Sequence, residues 1–98
     1  MQRIFAVTRT RGPRWNDQLS MEEQEDWKGH AAFMNALHAD GFVLVGGPLE
    51  GTLDTLLIFR ANDVDEIASR LSGDPWAKMD LLRITQAIPW TLRLGVVG

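Results

Sequence analysis

The chain has 98 residues, of which 45% are hydrophobic and 23% charged, a balance that builds one globular core and is too polar for a membrane protein. A net charge of −3 argues against nucleic-acid binding, which needs clustered Lys and Arg, and the absence of cysteine removes disulfides, thiolate nucleophiles and cysteine metal sites. No apolar run nears the roughly 20 residues that cross a bilayer, and the opening segment Met1 to Thr8 is too short and alternating for a signal-peptide core, so one cytoplasmic domain over residues 1–98 is expected.

Arg3 to Thr8 is partly β-branched and aromatic and predicts a first strand. A loop carrying Gly12-Pro13 should follow. Arg3, Arg9, Arg11 and Arg14 concentrate basic charge in this region, offset by Glu22, Glu23, Glu25 and Asp26. A solvated loop facing an acidic helix start explains them more simply than an anion-binding loop. Ser20 and Glu23 have the spacing of a capping box, which predicts a helix from there to about Ala39. At 100° per residue Trp27, His30, Phe33, Met34 and Leu37 share one arc, which should face a sheet.

Gly41 predicts a left-handed helix end, and Phe42 to Val45 a short strand covered on both sides. Gly46-Gly47-Pro48 should break that strand, and Thr52 to Arg60 should return as its hairpin partner, with Leu53, Leu57 and Phe59 on one face and Leu56 and Ile58 on the other. Asn62 or Asp63 should cap a second helix whose stripe is Val64, Ile67, Ala68 and Leu71, closed at Gly73. After Asp74-Pro75-Trp76 and a short turn, Leu82, Ile84 and Ile88 alternate with Arg83, Thr85 and Ala87 in a fourth strand, interrupted at Pro89-Trp90. Thr91 to Val97 could add a short fifth.

The order is βαββαβ, an α+β, ferredoxin-like arrangement with two helices on one face of a four-stranded, mainly antiparallel sheet. Several strands are apolar on both faces, while two helices cover only one. The other face should therefore pack on a second copy of the chain, with Phe5 and Leu57 as candidate contacts.

His30-Ala31-Ala32-Phe33-Met34 through Leu37, Gly41-Phe42, the Gly46-Gly47-Pro48-Leu49 turn, Asp74-Pro75-Trp76 and Ile88-Pro89-Trp90 together resemble the YCII-related family over nearly the whole chain. The resemblance implies a dimeric α/β barrel, the fold of muconolactone isomerases and small cofactor-free monooxygenases, with a pocket between sheet and helices. It also implies a catalytic pair, carried here by His30 and Asp74. The loop Thr10 to Leu19 and the tail beyond Trp90 are longer than in the shortest members and leave the substrate class open.

His30 could move a proton near neutral pH, with Asp74 holding one ring nitrogen protonated so that the other is free as a base. A buried structural imidazole and an Asp-Pro turn are the plainer roles for these residues. Trp27 stands one helical turn before His30, and with Met34, Asp40, Gly47 and Trp76 it completes the candidate substrate-binding set. His38 has no evident partner. No metal motif or phosphate-binding loop is visible, and no cofactor is expected. The expected function is a cofactor-free lyase or isomerase acting on a small cyclic or carboxylated molecule. The alternative is a non-catalytic metabolite-binding or dimeric assembly module. An open cavity with His30 on its wall would favour the former, a filled core the latter.

Overall fold

The structure is a computed structural model and describes residues 2–97. Four strands, β1 (Arg3–Arg11), β2 (Val43–Pro48), β3 (Asp54–Ala61) and β4 (Leu82–Pro89), form one sheet in the order β2-β3-β1-β4, with every neighbouring pair antiparallel. Helices α1 (Trp27–Ala39) and α2 (Val64–Leu71) follow β1 and β3, and a four-residue helix α3 (Pro75–Lys78) precedes β4. This is the ferredoxin-like α+β fold that the order of elements predicts. No helix among the described residues is long and apolar enough to cross a membrane.

Inward-facing side chains of the sheet meet the stripes of the helices in two clusters. Phe5, Val7, Leu57 and Phe59 pack with Leu37, Ile67 and Leu71, while Trp15, Trp76, Leu81 and Leu82 form a second cluster beside them. Phe5 and Leu57, expected on the far side of the sheet, thus lie beneath the helices at 2% and 5% exposure. Strand alternation puts Ala6, Leu56, Ile58 and Ile88 on the opposite face instead.

Several boundaries differ from expectation for identifiable reasons. β1 runs on through Arg9 and Arg11, because β3 pairs with it as far as Thr10 and β4 as far as Arg11. The Ser20–Glu23 signal caps only a 3-10 turn over Met21–Glu23, with Glu23 Oε1 accepting from the Ser20 N–H at 2.9 Å. Asp26, in the left-handed region at φ 54°, then breaks the path, and its carboxylate accepts from the Gly29 N–H to start α1. At the other end Gly41 adopts φ 78°, letting the Gly41 and Phe42 N–H groups reach back to the carbonyls of His38 and Leu37.

Gly46-Gly47-Pro48 does not break β2. All three pair with β3, opposite Leu57, Leu56 and Thr55, and the turn comes afterwards. β2 is an edge strand, where a proline that cannot donate costs no ladder bond. In β4 a register shift opposite Thr8 and Arg9 reverses the alternation, so that Leu82 and Ala87 pack inward while Ile88 pairs with Ala6 on the outer face. The expected single face of Leu82, Ile84 and Ile88 is therefore split. Thr91 to Val97 forms no strand, and Arg60 Nη2 donates to the Val97 carbonyl at 3.4 Å.

Candidate functional site

Between the two core clusters the inner face of the sheet carries a charged residue where an apolar one would continue the pattern. Arg9 follows Phe5 and Val7 on the inward register of β1 and is 1% exposed. Its Nη1 donates to Asp74 Oδ2 at 2.8 Å. Asp74, fully buried, stands at the start of α3, where Pro75 occupies the first turn and the Trp76 N–H donates to Asp74 Oδ1 at 3.0 Å. The α1 stripe brings His30 to the same carboxylate, with Nδ1 at 2.9 and 3.0 Å from its two oxygens. One carboxylate thus ties together β1, α1 and α3.

Burial pushes the Asp74 carboxyl up, but hydrogen bonds from His30 and Arg9, the His30 charge and the Trp76 amide outweigh it, and the net shift is below the ordinary value. An ionised carboxylate only accepts, so His30 Nδ1 carries a hydrogen, and in the neutral form of the ring the lone pair is on Nε2. Nε2 has no partner among the described residues and is not closed off from solvent. The ring is held on its flat side by Trp76, stacked with centroids 3.8 Å apart and planes 5° from parallel. Trp76 is itself fixed by its Nε1–H, which donates to the Glu25 carbonyl at 2.7 Å. Trp27 closes the aromatic wall, with its ring 5.9 Å from His30 and 5.7 Å from Trp76.

A cavity of about 200 Å³ opens beside this group. Arg9, His30, Trp27, Met34 and Trp76 form one wall, and the edge strand supplies Gly46, Gly47 and Pro48 on another. The cavity wall is apolar apart from Arg9, His30, Thr55 and backbone groups. A larger surface groove of about 510 Å³ near Arg14 and Lys78 contains none of the candidate residues. Chemistry, rather than size, selects the smaller cavity.

Of the candidate residues, His30, Trp27, Met34, Gly47 and Trp76 line the cavity, and Asp74 lies directly behind His30. Asp40 lies apart, at the end of α1, where it pairs with Arg70 at 3.2 Å. Gly47, without a side chain, lines the cavity with its backbone, and a Cβ there would meet nothing within 4 Å. Sequence reasoning missed Arg9, which it grouped with the loop arginines. The period-two spacing of Phe5, Val7 and Arg9 was the signal that could have found it. His38 binds the Val43 carbonyl through Nδ1 at 2.9 Å, a structural bond at the end of α1.

No family model and no curated protein sequence matches this chain. Among solved structures, the chain is similar to 5-chloro-2-hydroxyhydroquinone dehydrochlorinase from Burkholderia phenoliruptrix AC1100 in complex with 2,5-dihydroxybenzoquinone. That likeness has 26% identity, a TM-score of 0.68, and coverage of 90% of this chain and 93% of that one. It agrees with the ferredoxin-like fold and points in general terms to enzymatic chemistry on a small molecule.

Proposed function

We propose that this protein is a small-molecule enzyme of the YCII-related kind that performs lyase- or isomerase-type acid–base chemistry on a compact cyclic compound, with His30 as the proton carrier. The observation that carries this reading is the pairing of a free His30 Nε2 beside an open cavity with Nδ1 held by buried Asp74. Asp74 orients the ring and favours the imidazolium that forms when Nε2 takes a proton. In an elimination, the electrons of the broken C–H bond become the new π bond as the leaving group departs with its own pair. In an isomerisation, His30 returns the proton at another atom. The aromatic wall of Trp27 and Trp76 and the dihydroxybenzoquinone bound in the similar structure support a planar, oxygen-bearing ring as the ligand.

The protein acts as a homodimer, by the same proposal. Ala6, Leu56, Ile58, Ile88 and Trp90 border a shallow apolar groove on the helix-free sheet face, where Ile88 and Trp90 are about half exposed. A second copy of this sheet is the cover with matching chemistry. A thermal-shift screen of small cyclic acids, phenols and quinones, beginning with 2,5-dihydroxybenzoquinone, tests the enzyme reading on wild type and His30→Ala. Stabilisation of wild type that disappears in the variant supports it. A screen without a ligand, or with ligands indifferent to His30, removes it.

A further inference from the structure

The guanidinium of Arg9 has five N–H donors, and the protein engages few of them. Nη1 donates to Asp74 and approaches the Met34 sulfur at 4.0 Å. Nε is buried with no partner, and Nη2 has no acceptor among the described residues. A buried donor left unpaired is costly, and an arginine at 1% exposure with one edge unused marks a place where an acceptor is missing. That side chain lines the same cavity as His30, whose wall holds no carboxylate.

We propose that Arg9 is the residue that holds the substrate, through an oxyanion on its unused edge, and that the substrate therefore carries an ionised or ionising oxygen of the phenolate, enolate or carboxylate class. This rests on the acid–base role of His30 and adds the substrate's charge to it. With His30 neutral, Arg9 and Asp74 balance one another. When His30 Nε2 takes a proton from the substrate, the broken bond's electron pair is left on the substrate and delocalises to its oxygen, while the imidazolium leaves the three residues one positive charge in excess. Arg9 then faces the oxygen on which the negative charge collects, in surroundings where a charge-assisted hydrogen bond is strong. Arg9 also borders a cleft beneath α2, but that cleft has the Asp80 carboxylate in its wall, which disfavours an anion, whereas the wall of the cavity beside His30 has none.

The test titrates two rings of similar size, 4-nitrophenolate and neutral 4-nitroaniline, into the full chain at a pH where the phenol is ionised. Wild type should bind the phenolate at least about tenfold more tightly, the ordinary value of a hydrogen bond to a charged group. Arg9→Met should lose that preference. If Arg9→Met does not fold, Arg9→Met/Asp74→Asn removes both charges together and should show the same loss. Equal affinity for the two rings in wild type, failure of wild type to bind either, or a preference that survives removal of Arg9 overturns the proposal. A preference that depends on Arg9 in a protein that turns over no ring compound would sink the enzyme reading and leave the Arg9 assignment standing.

Discussion

The indole of Trp76 lies flat on the imidazole of His30, and the backbone N–H of that same tryptophan holds the carboxylate to which the imidazole is bonded. Ring plane and ring tautomer are thus set by neighbouring atoms of one short helix. His30→Gln should keep the fold, because glutamine retains polar volume and can still donate to Asp74. It should lower turnover of a substrate by about a hundredfold or more, the usual contribution of a positioned acid–base group. Steady-state kinetics beside a circular dichroism melt measures both. Full turnover in the variant at neutral pH would leave His30 a structural residue.

Asp74 couples the site to stability. Asp74→Asn leaves the Arg9 charge buried without its counter-ion and should destabilise by roughly 3–5 kcal/mol, part of which Arg9→Met in the same chain should restore. The wild-type contribution should also fade in acid. The folded carboxyl titrates below its ordinary value of 3.8, so in the window beneath that value the unfolded chain binds the proton first and stability falls with pH. Urea unfolding of both proteins across that range should show their difference closing. A gap that stays constant would mean that ionised Asp74 is not its source.

The parts of this protein legible in its sequence were those where one local signal dominates. The α2 stripe ends in Ile67 and Leu71, both buried, and Gly41 takes the left-handed turn its position suggests. His30 and Asp74 were found through resemblance, because nothing in their 44-residue separation says that the two side chains meet. Arg9 was hidden by its charge: surface statistics favour a solvated arginine, and only the tertiary placement of Asp74 makes an inward one tolerable. Gly46-Gly47-Pro48 looked like a turn because its residues punctuate most chains, whereas strand order alone makes β2 an edge. The β4 bulge, which moves Ile88 to the outer face, left no mark that periodicity could read.

That relocation makes the dimer testable at defined positions. Ile88, paired with Ala6 and 46% exposed, should lie near the middle of the contact between two sheets. Ile88→Glu would bury a charge against an apolar partner in the dimer, while costing the monomer little. Sedimentation should give a dimer mass for wild type and a monomer mass for the variant. A wild-type monomer at micromolar concentration rules out the sheet-to-sheet assembly.

The two glycines of β2 offer a paired test of the cavity, because they differ in what a side chain would meet. A Cβ at position 46 would overlap the Leu57 side chain, which is 5% exposed, packed in the core and part of the cavity wall; at position 47 it would meet open space. Neither glycine has positive φ, so backbone strain does not enter and the comparison is one of packing. Gly46→Ala forces Leu57 to move against a filled core and should cost about 1–3 kcal/mol. The displaced leucine reshapes a cavity of only about 200 Å³, so ligand affinity should fall while the His30–Asp74 pair, carried by other elements, keeps its geometry. KM should therefore rise more than kcat falls. Gly47→Ala should match wild type in melting temperature and in affinity, and a loss there as large as at Gly46 would show that the ligand lies elsewhere than against the Leu57 wall.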